Sequence, residues 1–427
     1  MAQNDREFML YTAFDMQKGL LAGASKVAKI QSDWLNNPLN PASYLGGPVI
    51  ASALDVIEHA TAPRGKPAFG LDHTIVDGKE YAVEEHIEAR KPFGQLKHFT
   101  HAKSKNAPKL LIIAPMSGHY ATLLRGTVER MLPGHDVWIT DWRDARNVPL
   151  TGGGFDLETY ISYLIEWLEF IGGDEDASPD QANGAHILAV CQPSVPAYAA
   201  TAIMGKDKHP MRPRSLTMMG GPIDTREAPT VVNDHATGKT HEWFIQNVIG
   251  TIPPYYRGAG RRVYPGFLQL TGFMSMNLGS HMMSHWHMFS DLVKGDGESA
   301  DKHKEFYDEY RSVCDMTAEF YLQTVDVVFQ RHLLPKGEFN YRGQLVDPST
   351  ITDTAILAIE GEKDDISGIG QTKASLKLAK QLDDEKKKYF LVPEVGHYGI
   401  FNGSKWRDKI APVLEDWILQ HNGPAKG

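Results

Sequence analysis

The chain has 427 residues, 42% of them apolar, which is enough to bury a sizeable core and excludes global disorder. A formal net charge of −9 at pH 7 argues against nonspecific nucleic-acid binding, which needs a basic face. The two cysteines, Cys191 and Cys314, exclude a disulfide framework and point to a reducing compartment. With no signal peptide and no apolar run long enough to span a bilayer, a soluble cytoplasmic protein is expected.

Residues 6–36 carry Phe8, Tyr11, Phe14, Leu20, Leu21, Val27, Ile30 and Trp34 at roughly helical spacing. They predict a helix packed on the main domain, closed by Asn37-Pro38 and Asn40-Pro41. The sharper reading of the same face is a surface that meets a hydrophobic particle or a partner subunit. Residues 72–100 predict antiparallel strands, with a hairpin turn at Asp77-Gly78. The pattern then changes to six continuous apolar runs: 110–115, 137–142, 187–191, 215–221, 355–361 and 389–392. Helical patterns at 120–132, 156–171, 195–204 and 371–382 lie between most of them, and one at 405–420 follows the last. Strands buried on both faces and alternating with helices predict a mostly parallel, doubly wound α/β sheet. The gap between the fourth and fifth runs is far too long for a crossover, so an inserted domain is expected at roughly 224–340. The expected organisation is an N-terminal helical segment (1–70), a core (71–223 and 341–427) and this insertion. The charge run from Asp383 to Lys388 reads as a solvated helix end or turn.

The third apolar run ends abruptly at Cys191, and Gln192, Pro193 and a small-residue helical pattern follow. Strand, sharp turn and helix with a reactive side chain at the apex is the geometry of a nucleophile elbow. The flanking positions are Ala189 and Pro193, so the usual G-x-S-x-G pattern is absent. A buried structural cysteine at a strand end is the other reading of this stretch. A cysteine nucleophile needs a base and a group that orients the base. In the hydrolase order these follow the fifth and sixth strands, acid before histidine. Gly361-Glu362-Lys363-Asp364-Asp365 and Glu394-Val395-Gly396-His397 stand at those two places. Asp364 is preferred by its spacing from Gly361, with Asp365 as a competitor. The expected oxyanion donors are the backbone N–H groups of Gln192 and Met116. His119, in the same loop as Met116, is a candidate substrate contact or a packing residue.

The segments Ala114–His119, Thr140–Arg146, Val190–Pro196, Thr217–Asp224, Arg261–Phe267, Glu360–Gly368 and Gly396–Phe401 resemble those of intracellular poly(3-hydroxybutyrate) depolymerases of the α/β-hydrolase superfamily. Polyhydroxyalkanoate synthases are similar too, but their elbow resembles G-x-C-x-G. The resemblance implies an α/β-hydrolase fold with an inserted lid, and a triad of Cys191 as nucleophile, Asp364 as acid and His397 as base. It implies hydrolysis of polyester bonds through a thioester, at a storage granule in the cytoplasm. The insertion is rich in aromatic and methionine side chains, suited to an apolar channel. Trp243, Tyr264, Phe267 and Trp286 are its substrate-binding candidates. No metal is expected, since His281, His285 and His287 come with no HExxH motif or cysteine pair, and no phosphate-binding loop implies a nucleotide cofactor. Cys314 follows no strand and is expected to pack in a helix. The expected partners are the polymer granule surface and, as an open possibility, further copies of the chain. The rival readings are a synthase-like or coenzyme A-dependent acyltransferase and a non-catalytic granule protein.

Overall fold

The structure is a computed structural model that describes residues 3–37, 39–41, 47–62, 65–173, 184–270, 309 and 312–423. It begins with two helices, α1 (Gln3–Leu35) and α2 (Gly47–Thr61), packed on each other. A hairpin follows, β1 (His73–Val76) and β2 (Lys79–Ala82), turning at Asp77 and Gly78. Their φ values of 51° and 74° are the pair of positive angles that a two-residue hairpin turn requires.

The main sheet takes β3 (Glu84–Lys91), β4 (Gly94–Thr100), β5 (Lys109–Ile113), β6 (Asp136–Trp142), β7 (His186–Val190) and β8 (Ser215–Met219) from the first half of the chain. From the second half it takes β14 (Ala355–Gly361) and β15 (Lys387–Val392). The spatial order is β15-β14-β8-β7-β5-β6-β4-β3. The six strands from β15 to β6 run parallel, while β4 and β3 add antiparallel at one edge. All six parallel strands match the apolar runs. β6, β7, β8 and β14 are buried at every residue, which is why they read as unbroken runs. β3 is charged and mostly exposed, a composition that discourages pairing with another chain at the open edge.

Crossover helices cover the sheet: α3 (Arg125–Met131), α4 (Leu157–Gly172) and α5 (Ser194–Lys206). In α4 the Asp156 side chain caps the N-terminus by accepting the Thr159 N–H, and Gly173, at φ 62°, ends the helix in the left-handed region. Its buried face presents Tyr160 and Trp167 to Trp142 of β6, with Phe155 completing an aromatic cluster.

Three predicted helices come out shorter than their patterns; of 120–132 only Arg125–Met131 is α-helical, with 3₁₀ turns at Ala121–Leu124 and Leu132–Gly134. Of 371–382 only Ala374–Leu378 is α-helical, because the buried Glu360 carboxylate draws in the N–H groups of Gly370, Thr372 and Lys373 just before it. The pattern at 405–420 is interrupted by a π turn at Trp406–Ile410 before its final helix, Ala411–Gln420, where Pro412 has no N–H to donate.

Between β8 and β14 the chain forms α6 (Val231–Thr237), α7 (His241–Asn247) and a small sheet of β9 (Gly250–Thr251), β10 (Arg262–Tyr264) and β11 (Met316–Thr317). Then come α8 (Ala318–Thr324) and a hairpin of β12 (Asn340–Tyr341) and β13 (Gln344–Leu345). This segment is tied to the loop after β6. The Arg261 guanidinium donates to the carbonyls of Val148, Pro149 and Gly153 at 2.7–3.1 Å. Cys314, expected in a helix, lies instead in the extended segment before β11, where its N–H donates to the Gly118 carbonyl at 2.7 Å. No described helix is long and apolar enough to cross a membrane.

Candidate active site

β7 delivers Cys191 to the C-terminal rim of the sheet. The residue sits at φ 67°, a left-handed conformation that costs a non-glycine residue about 1–3 kcal/mol and survives only where neighbours enforce it. Its N–H donates to the Met219 carbonyl at 2.7 Å and its carbonyl accepts the Ser194 N–H at 3.0 Å. The sharp turn lifts the half-buried thiol clear of the strand. Sequence alone did not explain how an elbow manages without glycines at Ala189 and Pro193. The neighbouring strand accounts for part of it: a Cβ on Gly221 would fall 2.0 Å from Ser194 Oγ, so the first turn of α5 presses onto a glycine supplied by the chain beyond β8.

His397 lies on the loop after β15 and Asp364 on the loop after β14. His397 Nδ1 and Asp364 Oδ2 are 2.8 Å apart, with the carboxylate fully buried and the imidazole 5% exposed. The other carboxylate oxygen, Oδ1, accepts the N–H groups of Ile366 at 2.9 Å and Ser367 at 2.8 Å. That clamp aims Oδ2 at the ring. Asp365, the competitor, points outward and is exposed. The Cys191 side chain lies near enough to the imidazole to act on it electrostatically. Burial by itself would lower the His397 pKa. Negative charge on the Cys191 sulfur and the Asp364 carboxylate outweigh burial and raise it well above the ordinary histidine value.

Two supports for this site carried no sequence signal. Glu360, wholly buried at the end of β14, accepts three backbone N–H groups at 2.8–2.9 Å and the Tyr389 hydroxyl at 2.7 Å. It fixes the far end of the loop that carries Asp364. Gly220, at φ 57°, has no room for a side chain: a Cβ would lie 2.7 Å from Ile400 Cδ1 and 3.1 Å from both Asp364 Oδ2 and His397 Cε1. Gly220→Ala is expected to displace the acid–histidine pair and cut kcat by about a hundredfold, as small misplacements at reacting groups do. Steady-state kinetics with an activated soluble ester, beside a thermal melt, would check this.

The fold is that of the α/β hydrolases. Cys191, Asp364 and His397 follow the parallel strands β7, β14 and β15, the chain order in which this architecture places nucleophile, acid and histidine. Residues 220–422 match the family model described as PHB de-polymerase C-terminus. Among curated proteins, the chain is 22% identical over 333 residues to the poly(3-hydroxyalkanoate) polymerase subunit PhaC of Haloarcula marismortui. That alignment covers 75% of this chain and 62% of the relative, so the chain spans under two thirds of the relative's length. Solved structures similar to it include a putative lipase from Acinetobacter baumannii (12% identity, 79% of this chain and 93% of that one, TM-score 0.41). The thioesterase domain of the curacin biosynthetic pathway is similar at 13% identity, with 79% and 99% coverage and a TM-score of 0.40.

On this α/β-hydrolase rim, Met116 and Gln192 adjoin. The Met116 N–H donates to Gln192 Oε1 at 3.4 Å, so an amide oxygen occupies one of the two expected oxyanion donors. His119 is buried; its backbone bridges to Val313 and its carbonyl accepts the Cys314 thiol at 3.5 Å. Trp243 on α7 packs edge-on against His235 and Phe244. Tyr264 stacks on Tyr321 at 4.0 Å, and Phe267 stacks on Phe14 of α1 at 4.0 Å. Phe267 also lines a cavity of about 400 Å³ between α1 and the loops after β5 and β6, with Phe14, Leu21, Tyr120, Arg146 and Tyr256. Beside it, Arg146 bridges the carboxylates of Asp144 and Asp315, and Tyr11 donates to Asp315. Burial, followed by the Asp144 charge, pushes the Asp315 pKa up to about 6. Trp286 and the histidines 281, 285 and 287 lie outside the described residues.

Proposed function

We propose that this protein is a polyhydroxyalkanoate depolymerase that hydrolyses ester bonds of poly(3-hydroxybutyrate) through a Cys191-His397-Asp364 triad. The observations that support the reading are the left-handed elbow at Cys191 and the 2.8 Å His397–Asp364 pair on the same rim, in a chain whose residues 220–422 match the depolymerase C-terminal model. In this mechanism the Cys191 proton passes to His397, and Sγ forms a bond to the ester carbonyl carbon. The carbonyl oxygen becomes an oxyanion, displaces the Gln192 amide oxygen and accepts from the N–H groups of Met116 and Gln192. Collapse breaks the C–O bond, and His397 returns its proton to the departing alkoxide. Water then gives a proton to His397 and adds to the thioester carbonyl. The C–S bond breaks, releasing a 3-hydroxyacid end and restoring the thiol–imidazole pair. Asp364 holds the ring with Nε2 turned to the sulfur throughout.

In this reading the inserted segment, 224–340, is a lid that supplies apolar walls for the chain of the polymer. Phe267 is the best placed of the proposed contacts, because it faces a cavity on the same rim. His119, Trp243, Tyr264 and Trp286 are proposed with it. The enzyme would work at the surface of a cytoplasmic polymer granule and needs no cofactor.

A second reading is favoured by the polymerase relative: acyl transfer to or from coenzyme A through the same thioester. Incubation with amorphous poly(3-hydroxybutyrate), with and without coenzyme A, separates the two. Hydrolysis predicts release of free 3-hydroxyacid at a rate independent of coenzyme A. Release that requires coenzyme A and yields the 3-hydroxyacyl thioester would overturn hydrolysis in favour of thiolysis. Polymer binding without any release would overturn both.

A further inference from the structure

Helix α1 has a buried face and, opposite it, an exposed apolar one. One face holds the helix on the protein: Tyr11, Ser25, Ala28 and Ser32 are buried there. The opposite face carries Met16 (68% exposed), Leu20 (77%), Val27 (54%), Ile30 (68%) and Trp34 (60%). With Gly23 these positions step by four, three, four, three and four residues. That is the a/d repeat of a coiled-coil seam, and it runs about 27 Å along the helix. A flat apolar surface would be met by a wider stripe, whereas this narrow one fits a second helix.

The glycines add an independent observation. Gly19 and Gly23 stand in mid-helix, where each weakens the helix relative to alanine. A Cβ at either position would meet nothing within 4 Å, so no contact inside the chain calls for a glycine. Close approach of another backbone would.

We propose that the occupant is a second copy of this chain, packed antiparallel along α1 about a two-fold axis near residue 25. This register sets Met16 against Trp34 of the second copy, Leu20 against Ile30, and Gly23 against Val27. The small residue meets the branched one at the crossing, and the patch is self-complementary, as a two-fold interface demands. The five large side chains expose roughly 700 Å², close to the roughly 800 Å² per partner that a stable dimer buries. Exposed Val49, Ile50 and Ile57 on the adjoining α2 extend it.

Sedimentation velocity over a concentration series tests the proposal, using the whole protein in three forms. Wild type should sediment at twice the monomer mass. The double variant Leu20→Glu/Ile30→Glu places like charges opposite each other and should weaken the dimer by more than about a hundredfold. Leu20→Lys/Ile30→Glu places opposite charges in register only if the helices are antiparallel, and should restore dimerisation. Both substituted side chains, Leu20 and Ile30, are exposed, so circular dichroism and turnover of a soluble ester should be unchanged. A monomeric wild type at every soluble concentration would overturn the proposal, including the case where the stripe binds polymer instead. So would a double-glutamate variant that stays dimeric, or a lysine–glutamate variant no tighter than it.

Discussion

Replacing Cys191 by alanine should lower kcat on amorphous poly(3-hydroxybutyrate) by at least about 10⁴-fold, since residues that act as one catalytic unit fail together when any one is removed. The thermal midpoint should barely move. Alanine is smaller than cysteine at a half-buried position, and the positive φ at 191 is equally unfavourable for both residues. The backbone bonds from Cys191 to Met219 and Ser194 do not involve the sulfur. Acid release measured beside a melting curve checks both halves of this expectation. Activity retained within tenfold would remove the sulfur from the mechanism.

Asp364→Asn should cost nearly as much, and its direction follows from which oxygen does what. Oδ1 accepts two backbone N–H groups, so an asparagine must keep its carbonyl oxygen at that position and turn its NH₂ toward the histidine. His397 Nδ1 then becomes an acceptor, and the ring proton moves to Nε2. A ring protonated there cannot take the thiol proton. The expected loss is about 10⁴-fold in kcat, the size seen when this tautomer is imposed on a serine triad. Asp365→Asn is the control. Its side chain is exposed and should leave kcat within about twofold. Steady-state kinetics on both variants, read with the pH dependence of kcat/KM, checks the assignment.

The sheet was legible because its strands are buried on both faces: runs such as Leu110–Ile113 and Ile356–Ile359 have no polar side to hide. The elbow was legible for the same reason, as an apolar run that stops at a thiol. Spacing from Gly361 favoured Asp364 over its neighbour Asp365 without fixing which of them pairs with His397. In the structure the amides of Ile366 and Ser367 hold Asp364 against His397, and amide directions leave no trace in residue identity. Gly220 and Glu360 were missed because their roles depend on strands far apart in sequence. The N-terminal helix shows the opposite failure. Its 3–4 spacing was correctly read as helical, but Leu20, Val27, Ile30 and Trp34 face away from the protein, and periodicity reports a face without saying what covers it. The aromatics of the insertion were likewise singled out by type, whereas Tyr264 is engaged by Tyr321 and Trp243 by Phe244.

The covalent step can be tested directly by acid-quenching the enzyme during turnover of poly(3-hydroxybutyrate) oligomers and mapping its peptides by mass spectrometry. The Cys191 peptide should carry a mass increment of one or more 3-hydroxybutyryl units, sensitive to hydroxylamine and enriched in His397→Ala if deacylation is slowed more than acylation. Turnover proceeding with an unmodified Cys191 peptide, or with the acyl group on another residue, would contradict the account.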